Sequence, residues 1–161
     1  MRIAVVGASG YTGLEVVRIV LRHPELELSV VTSEQRAGQP MGECFPALRS
    51  LTDLKFEAND PASLAGRVDA AFCCLPHAAS APTVTAIRKL GILALDLSAD
   101  FRLRDPDVYT HWYGEHKAPE LFGKGVYGMP ELYREQIKET ELIAAPGCYP
   151  TGALLPMLPF L

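Results

Sequence analysis

The chain has no excess of basic residues: 15 lysines and arginines stand against 19 aspartates and glutamates, a net charge of −4. That balance excludes nucleic acid and an anionic membrane as its main partners. Cysteine is scarce, and Cys44, Cys73, Cys74 and Cys148 make neither a C-x-x-C pair nor an evenly spaced framework. A disulfide scaffold is thereby excluded, and free thiols in a reducing cytoplasm are expected. A zinc set is excluded too. Cys73 and Cys74 are adjacent on a strand and diverge to opposite faces, and no second ligand pair joins them and His77. A signal peptide is not expected, because the N-terminus enters a short strand-like run and meets Gly7 at once. No long apolar run is uninterrupted. Ile143 to Leu161 carries no charge, but Pro146, Gly147, Pro150, Gly152, Pro156 and Pro159 break it, so a buried strand and helix are expected rather than a membrane span. Repeats are lacking as well; the 13 glycines and 13 prolines punctuate the chain.

What is there is 161 residues, 48% hydrophobic and 21% charged, one domain's worth of globular sequence. Strand and helix signals alternate. Ile3–Val6 is a continuously apolar strand, followed by a helix over 12–22 with Leu14, Val17, Val20 and Leu21 on one stripe and Pro24 as its stop. A second strand is expected at Leu28–Thr32, a long functional loop over 33–52, and a weak third strand at Leu54–Phe56. Ala70–Leu75 reads as a buried strand, Ala78–Leu90 as a helix closed by Gly91, and Ile92–Leu97 as another strand. Residues 98–130 read as irregular apart from a short helix near Pro106–Trp112. Glu131–Glu139 is an expected helix, Leu142–Ala145 a strand, and Cys148–Leu161 the opening of a further helix. Such alternation predicts an α/β fold, a doubly wound, Rossmann-like, mostly parallel sheet with helices on both faces.

Two stretches carry chemistry. Gly7-Ala8-Ser9-Gly10-Tyr11-Thr12-Gly13 lies directly between the first strand and the first helix. Its glycines suit a plain tight turn, and they also allow backbone N–H groups to approach a pyrophosphate at the helix N-terminus. Its place between strand and amphipathic helix favours the second. At the end of the second strand, Ser33 and Arg36 suit the 2′-phosphate of NADP, whereas Glu34 suits the ribose hydroxyl of NAD. The other stretch is Ala145-Pro146-Gly147-Cys148-Tyr149-Pro150-Thr151. Pro150 suits a first helical turn, which puts Cys148 at a helix N-terminus. The partial positive charge there favours a thiolate nucleophile, with neighbouring N–H groups to receive an oxyanion. The same cysteine also suits a small buried position. Cys73 and Cys74 read as core.

With Leu75-Pro76-His77, Asp96-Leu97-Ser98-Ala99-Asp100-Phe101-Arg102-Leu103 and Tyr127-Gly128-Met129-Pro130-Glu131-Leu132 added to those two stretches, the chain resembles the N-terminal half of the N-acetyl-γ-glutamyl-phosphate reductase family, which is related to aspartate-semialdehyde dehydrogenase. The resemblance implies NADPH as hydride donor and an N-acylated glutamyl (acyl-phosphate) substrate. It implies Cys148 as the nucleophile forming a thioester, and Gly7, Ser9, Gly10, Tyr11, Thr12, Gly13, Ser33, Arg36, Leu75, Pro76, His77 and Ser98 as cofactor-binding residues. From the related dehydrogenases it implies Arg102 as a ligand of the substrate phosphate; the alternative is a surface salt bridge from Arg102 to Asp100 or Asp105. The chain departs from the family at Glu34, where arginine is frequent, and at Ala145, where asparagine is common.

The resemblance further implies residues 1–147 as an NADP-binding domain and 148–161 as the start of a catalytic helix. That helix would lead into a second domain, outside this sequence, supplying an acid/base histidine and the contacts of a homo-oligomer, a dimer or tetramer. The apolar end, Leu154 to Leu161, fits a helix expecting a covering surface. Three readings compete with arginine biosynthesis: the lysine-pathway aminoadipyl-phosphate reductase, aspartate-semialdehyde dehydrogenase, and a nucleotide-binding module without chemistry. Tyr127–Leu132 argues against the aspartate enzyme, and Cys148 against the bare module.

Overall fold

Four apolar residues after Arg2 set the first strand, β1 (Arg2–Val6), with Ile3 to Val6 all buried. Helix α1 (Tyr11–Val20) returns over it, and β2 (Glu27–Val31) pairs with it in parallel. Thereafter come a one-turn helix α2 (Met41–Cys44), strand β3 (Ala70–Cys73), helix α3 (Ser80–Lys89) and strand β4 (Leu93–Asp96). Helix α4 (Pro106–Tyr113), strand β5 (Val126–Tyr127), helix α5 (Pro130–Glu139), strand β6 (Leu142–Ala144) and helix α6 (Cys148–Met157) complete the order. This computed structural model describes residues 1–160; Leu161, the last residue of the expected helical opening, lies outside the described residues. The strands form one sheet in the order β2-β1-β3-β4-β6-β5, and all of its pairs are parallel. The doubly wound α/β architecture is therefore as the alternation predicts. The chain leaves β1 in one direction toward β2 and leaves β3 in the other toward β4. The carboxyl ends of those neighbouring strands thus make the switch point at which open α/β sheets bind ligands.

Side chains alternate between two cores. On one face Ala4, Val6, Ala71, Cys73, Ala94 and Ala144 pack under Ala81, Val84 and Ile87 of α3. On the other, Ile3, Val5 and Val31 pack under Val17 and Val20 of α1 and under Met41, Leu48 and Phe56. Each fully buried valine, leucine, isoleucine, methionine or phenylalanine among them contributes about 1.5–3 kcal/mol, and the alanines less. The second cover reaches only part of the sheet, so Phe72, Leu93 and Leu95 are half-buried. Helix α6 has no buried residue at all, which corrects the expectation of a buried helix there. Its apolar side chains run all round it, giving no stripe for the sheet to cover.

Three other expectations change. Leu54–Phe56 is not a strand. Its backbone groups bond to residues 38–41, leaving isolated bridges of Lys55 to Pro40 and of Glu57 to Thr32. The long loop over 33–52 carries α2 and a 3-10 turn at Pro46–Leu48, anchored by the buried Met41 and Leu48. The irregular 98–130 segment yields β5, which joins the sheet edge beyond β6; two residues give no periodicity to read. Helix α4 appears where expected, capped by Asp105, whose side chain accepts from the N–H groups of Asp107 and Val108.

Strand β4 ends on a fully buried carboxylate. Asp96 accepts hydrogen bonds from Ser80 Oγ at 2.5 Å and Ser98 Oγ at 2.6 Å. Burial raises its pKa, with the charge of Asp100 adding to the rise, against the serine hydrogen bonds that lower it. The folded state therefore keeps its proton to higher pH than the unfolded chain. Its contribution to stability is full below the ordinary value of 3.8 and is lost as pH rises through the folded-state value. Asp96→Asn, neutral throughout and still within reach of hydroxyls that can reverse their bonds, removes this dependence. Urea unfolding from about pH 4 to about pH 7 is expected to show wild type losing stability relative to Asp96→Asn as pH rises. A gap that stays constant or moves the other way would contradict it.

Candidate active site

The site is built from the loops that follow five of the strands. After β1, Gly7 takes a positive φ of +80°, and a Cβ there would lie 2.6 Å from the carbonyl oxygen of Cys74. Only glycine lets the turn after β1 press against the turn after β3. A Cβ on Gly13 would meet Gly7 O at 2.5 Å, so the first turn of α1 packs directly on the glycine turn. Gly10 is the N-cap of α1. No side chain caps that helix, and no acidic residue stands in its first turn. The first N–H groups of a helix have no partner within it. Those of α1 are thus left to an anion, and the residues present fit a dinucleotide's pyrophosphate. Tyr11 and Thr12 are exposed on that turn.

The neighbouring loop after β2 is tied to this turn. Ala8 N–H donates to Thr32 O at 2.9 Å, Gly7 N–H to Thr32 Oγ1 at 3.3 Å, and the hydroxyls of Ser9 and Ser33 share a bond of 2.7 Å. Thr32 Oγ1 in turn donates to Asn59 Oδ1. Ser33 is buried, whereas Glu34 and Arg36 are exposed. Arg36 Nη1 reaches Gln39 Oε1 at 3.4 Å and Cys44 Sγ at 3.3 Å. Ser33 and Arg36 thus share one loop, but no contact joins them to each other.

After β3, Leu75 and Pro76 lead to His77, whose Nδ1 accepts from Ala99 N–H at 2.9 Å. Ala78 follows with φ +63°, a left-handed conformation that costs a non-glycine residue of order 1 kcal/mol. Asp100, fully buried, holds that turn. Its carboxylate accepts from the N–H groups of Ala78 and Ala81, each at 2.9 Å, and from Tyr109 OH at 3.0 Å. Ser98 is also buried, with its hydroxyl donating to Asp96 and accepting from Asp100 N–H at 3.0 Å. That hydroxyl thus donates once and accepts once inside the loop, and so braces the rim. At this strand end the alternation of faces stops, and the sequence carried no sign of which way Ser98 points. The sequence gives no sign of the bracing roles of Asp96 and Asp100, nor of Asn59 and Tyr109 as partners in this network.

After β4 and β6 the loops meet at Arg102. Its Nε donates to Ala145 O at 2.7 Å and its Nη2 to Leu97 O at 2.8 Å. Its Nη1 lies 3.1 Å from where a Cβ on Gly147 would be. The salt bridge to Asp100 or Asp105 does not form: Asp100 is engaged with α3 and Asp105 caps α4. Arg102 also lines an open cleft of about 500 Å³ with Arg104, Tyr127, Tyr133 and Gln136. Gly147 is the N-cap of α6 and Cys148 its exposed first residue, with no side chain capping the helix. Thr151 closes the turn, its N–H and Oγ1 both donating to Gly147 O, at 3.0 and 2.9 Å. A thiol at an uncapped helix start whose N-cap residue, Gly147, lies against a guanidinium can act as an acyl acceptor with an anion held near it.

Cys73 is fully buried in the sheet and Cys74 half-buried beyond its end. Burial, with the charge of Asp96 adding, pushes the Cys73 thiol well up and that of Cys74 up to about 12. Among the described residues no group of three His, Cys, Asp or Glu could hold a metal ion. No helix there is long and apolar enough to cross a membrane.

Residues 2–140 match the model of the semialdehyde dehydrogenase, NAD binding domain. N-acetyl-gamma-glutamyl-phosphate reductases from Citrifermentans bemidjiense and Geobacter sp. are each 48% identical to it over 161 residues, 100% of this chain and 46% of theirs. The protein of that name from Rhodopirellula baltica is 45% identical over 160 residues, 99% of this chain and 46% of its own. The chain therefore spans about half the length of the curated relatives it matches. Among solved structures, aspartate semialdehyde dehydrogenase with NADP from Candida albicans superposes with a TM-score of 0.68 at 14% identity, over 99% of this chain and 46% of that one. Aspartate semialdehyde dehydrogenase II complexed with ASA from Vibrio cholerae does so with a TM-score of 0.65 at 17% identity, over 99% and 45%. At those identities the two structures speak for the fold.

Native thiol mapping follows from the burial. Iodoacetamide near neutral pH is expected to modify Cys148 first, the half-buried Cys44 later, and Cys73 and Cys74 only on unfolding. Alkylation of Cys73 or Cys74 ahead of Cys148 in the native protein would remove the nucleophile assignment.

Proposed function

The chain belongs to the semialdehyde dehydrogenase NAD-binding domain family, and from that premise we propose that it is the cofactor-binding, nucleophile-bearing half of an NADPH-dependent N-acetyl-γ-glutamyl-phosphate reductase. The observation that carries this reading is the meeting of Arg102, Gly147 and Cys148. A guanidinium fixed by two carbonyls stands at an uncapped helix start whose first residue is an exposed thiol. A nucleotide-binding module needs none of that. The names of the relatives support the acyl-glutamyl substrate and a place in arginine biosynthesis.

In this reading Cys148 attacks the acyl carbon, the carbon–oxygen bond to phosphate breaks, and phosphate leaves with the bonding pair, giving a thioester. N–H groups in the first turn of α6 receive the oxyanion, and the remaining donors of Arg102 hold the departing phosphate. NADPH, when bound, would supply the hydride that takes the thioester to the aldehyde level. Tyr11, Thr12 and Gly13 would present backbone N–H groups to its pyrophosphate, while Gly7 and Gly10, whose N–H groups bond to Thr32 Oγ1 and Gly7 O, would shape the turn that receives it. Ser9, Ser33 and Arg36 face its 2′-phosphate end, and Leu75, Pro76 and His77 border the crevice at the switch point. Collapse of the tetrahedral adduct releases the aldehyde and returns the thiolate to Cys148. The free thiols support a reducing, cytoplasmic setting.

Two measurements test this. Calorimetry on the chain is expected to show tighter binding of NADPH than of NADH, and Arg36→Ala is expected to weaken NADPH binding by about 1.5–3 kcal/mol, the worth of a hydrogen bond to a charged group. Equal affinities for the two nucleotides would move the assignment to Glu34 and NAD. When the chain is joined to a second half of the length its relatives have, Cys148→Ser is expected to abolish reductive turnover while leaving NADPH affinity within about twofold, since a thiol-to-hydroxyl change spares the nucleotide contacts. Residual turnover at a wild-type rate would exclude the thioester route.

A further inference from the structure

Every tether of the His77 ring leads to one residue. The first is Ala99 N–H on His77 Nδ1, contributed by the residue next to Asp100. The second is the backbone of Ala78, held in its left-handed conformation with its N–H on Asp100 Oδ1. The third is aromatic: the Tyr113 ring meets His77 edge-on at 5.5 Å, Tyr109 stacks on Tyr113 at 5.3 Å, and Tyr109 OH donates to Asp100 Oδ1. The other oxygen of the same carboxylate accepts from Ala81 N–H, which locks the group to the start of α3.

We propose that Asp100 is the positioning residue of the nucleotide crevice, holding the Pro76–Ala79 turn in its strained form and fixing His77 as the tautomer that presents an Nε2–H donor to the bound nucleotide. The chemistry of the ring follows from its partner. An Nδ1 that accepts from a backbone amide carries no proton, so the neutral imidazole carries its hydrogen on Nε2. Nε2 has no partner among the described residues, and its donor suits a phosphate or carboxamide oxygen. An alanine at φ +63° returns to the right-handed or extended region unless its surroundings hold it. The bond from its N–H to a buried carboxylate is charge-assisted and supplies that hold. Were the turn to relax, His77 would leave Ala99 and lose both its place and its tautomer. The inference rests on the proposed nucleotide site, but its primary readout does not use nucleotide.

Nitrogen-15 NMR of the unliganded chain is the test. In wild type, His77 is expected as the Nε2–H tautomer, with the amides of Ala78 and Ala81 protected from exchange. An Nδ1–H tautomer, or an unprotected Ala78 amide, overturns the proposal whatever the variants do. Asp100→Asn replaces one acceptor oxygen by an NH2 group facing donors. It is expected to convert His77 to a mixture of tautomers and to weaken NADPH binding about tenfold. Ala78→Gly, which adopts positive φ freely, is expected in that background to restore the His77 signature and bring affinity back to within about threefold of wild type. Ile87→Ala, a core truncation in the same helix, is expected to lower stability and leave the His77 signature unchanged. Failure of glycine to rescue, or an equal effect of Ile87→Ala on the ring, shows a merely structural carboxylate and overturns the proposal. If Asp100→Asn does not fold, the wild-type tautomer and amide protection decide alone. A wild-type chain with the expected ring signature but no NADPH affinity refutes the proposed function and leaves the positioning geometry standing.

Discussion

Two carboxylates without access to water, Asp96 and Asp100, hold the ligand-facing edge of the sheet together. A buried carboxylate is costly unless donors surround it. Here the donors are two serine hydroxyls for Asp96, and two amides and a phenol for Asp100. Three of these donors belong to the turn and first residues of α3, so the positive end of that helix is the common partner of both charges. The consequence reaches well beyond the pair. The loop after β4 and the turn after β3 can take only the conformations that bring these groups together. His77, Ser98 and the Leu97 carbonyl that holds Arg102 take their places from that closure. Replacing either carboxylate by an apolar group would leave N–H or O–H groups buried without partners.

The same logic passes from loop to loop across the sheet. The turn after β1 is held to the loop after β2 by Ser9 and Thr32, and pressed on the turn after β3 at Gly7 and Cys74. The loop after β4 is held to the one after β6 by Arg102. Each contact is a single bond or close approach between neighbours, and together they make one continuous rim. Phosphate-sized anions, a nicotinamide ring and an acyl carbon can then be addressed from separate loops whose relative positions the sheet enforces.

Much of this was legible in the sequence. Continuous apolar runs announced the central strands because both faces of a parallel sheet are covered there, and Gly7–Gly13 and Cys148 announced the two ends of the rim by their place between strand and helix. What the sequence hid has a common physical character. Asp100 lies in what reads as a polar loop, and its partners are backbone amides of Ala78 and Ala81, which have no signature of their own. The direction of the Ser98 hydroxyl depends on a closure around Asp96 that no local pattern records. Strand β5 has only Val126 and Tyr127, too few to show a period, and takes its place from pairing with β6. Leu54 and Phe56 have the alternation of a strand, yet they serve to pin the loop over 33–52 to the core.

Arg102 shows how the electrostatics of the rim point to an anion. Among the described residues no carboxylate neutralises its guanidinium; two carbonyl oxygens hold it instead. Carbonyls fix a guanidinium's direction but carry no net charge, so the positive charge remains available. Beside it stands the N-terminus of α6, whose uncapped N–H groups carry partial positive charge of the same sign. Two positive features placed together repel, and an anion between them relieves that repulsion. Asp100 is the nearest acid along the chain, and α3 has already taken it. Around Arg102 the rim therefore uses its acids, Asp100 and Asp105, to hold itself in shape and leaves its positive groups for what binds there. An anion entering between Arg102 and Cys148 meets donors whose orientation is already set, so little conformational entropy is lost when it binds. That division, negative charge inward for structure and positive charge outward for ligand, is the physical basis for reading this edge of the sheet as a site for phosphates.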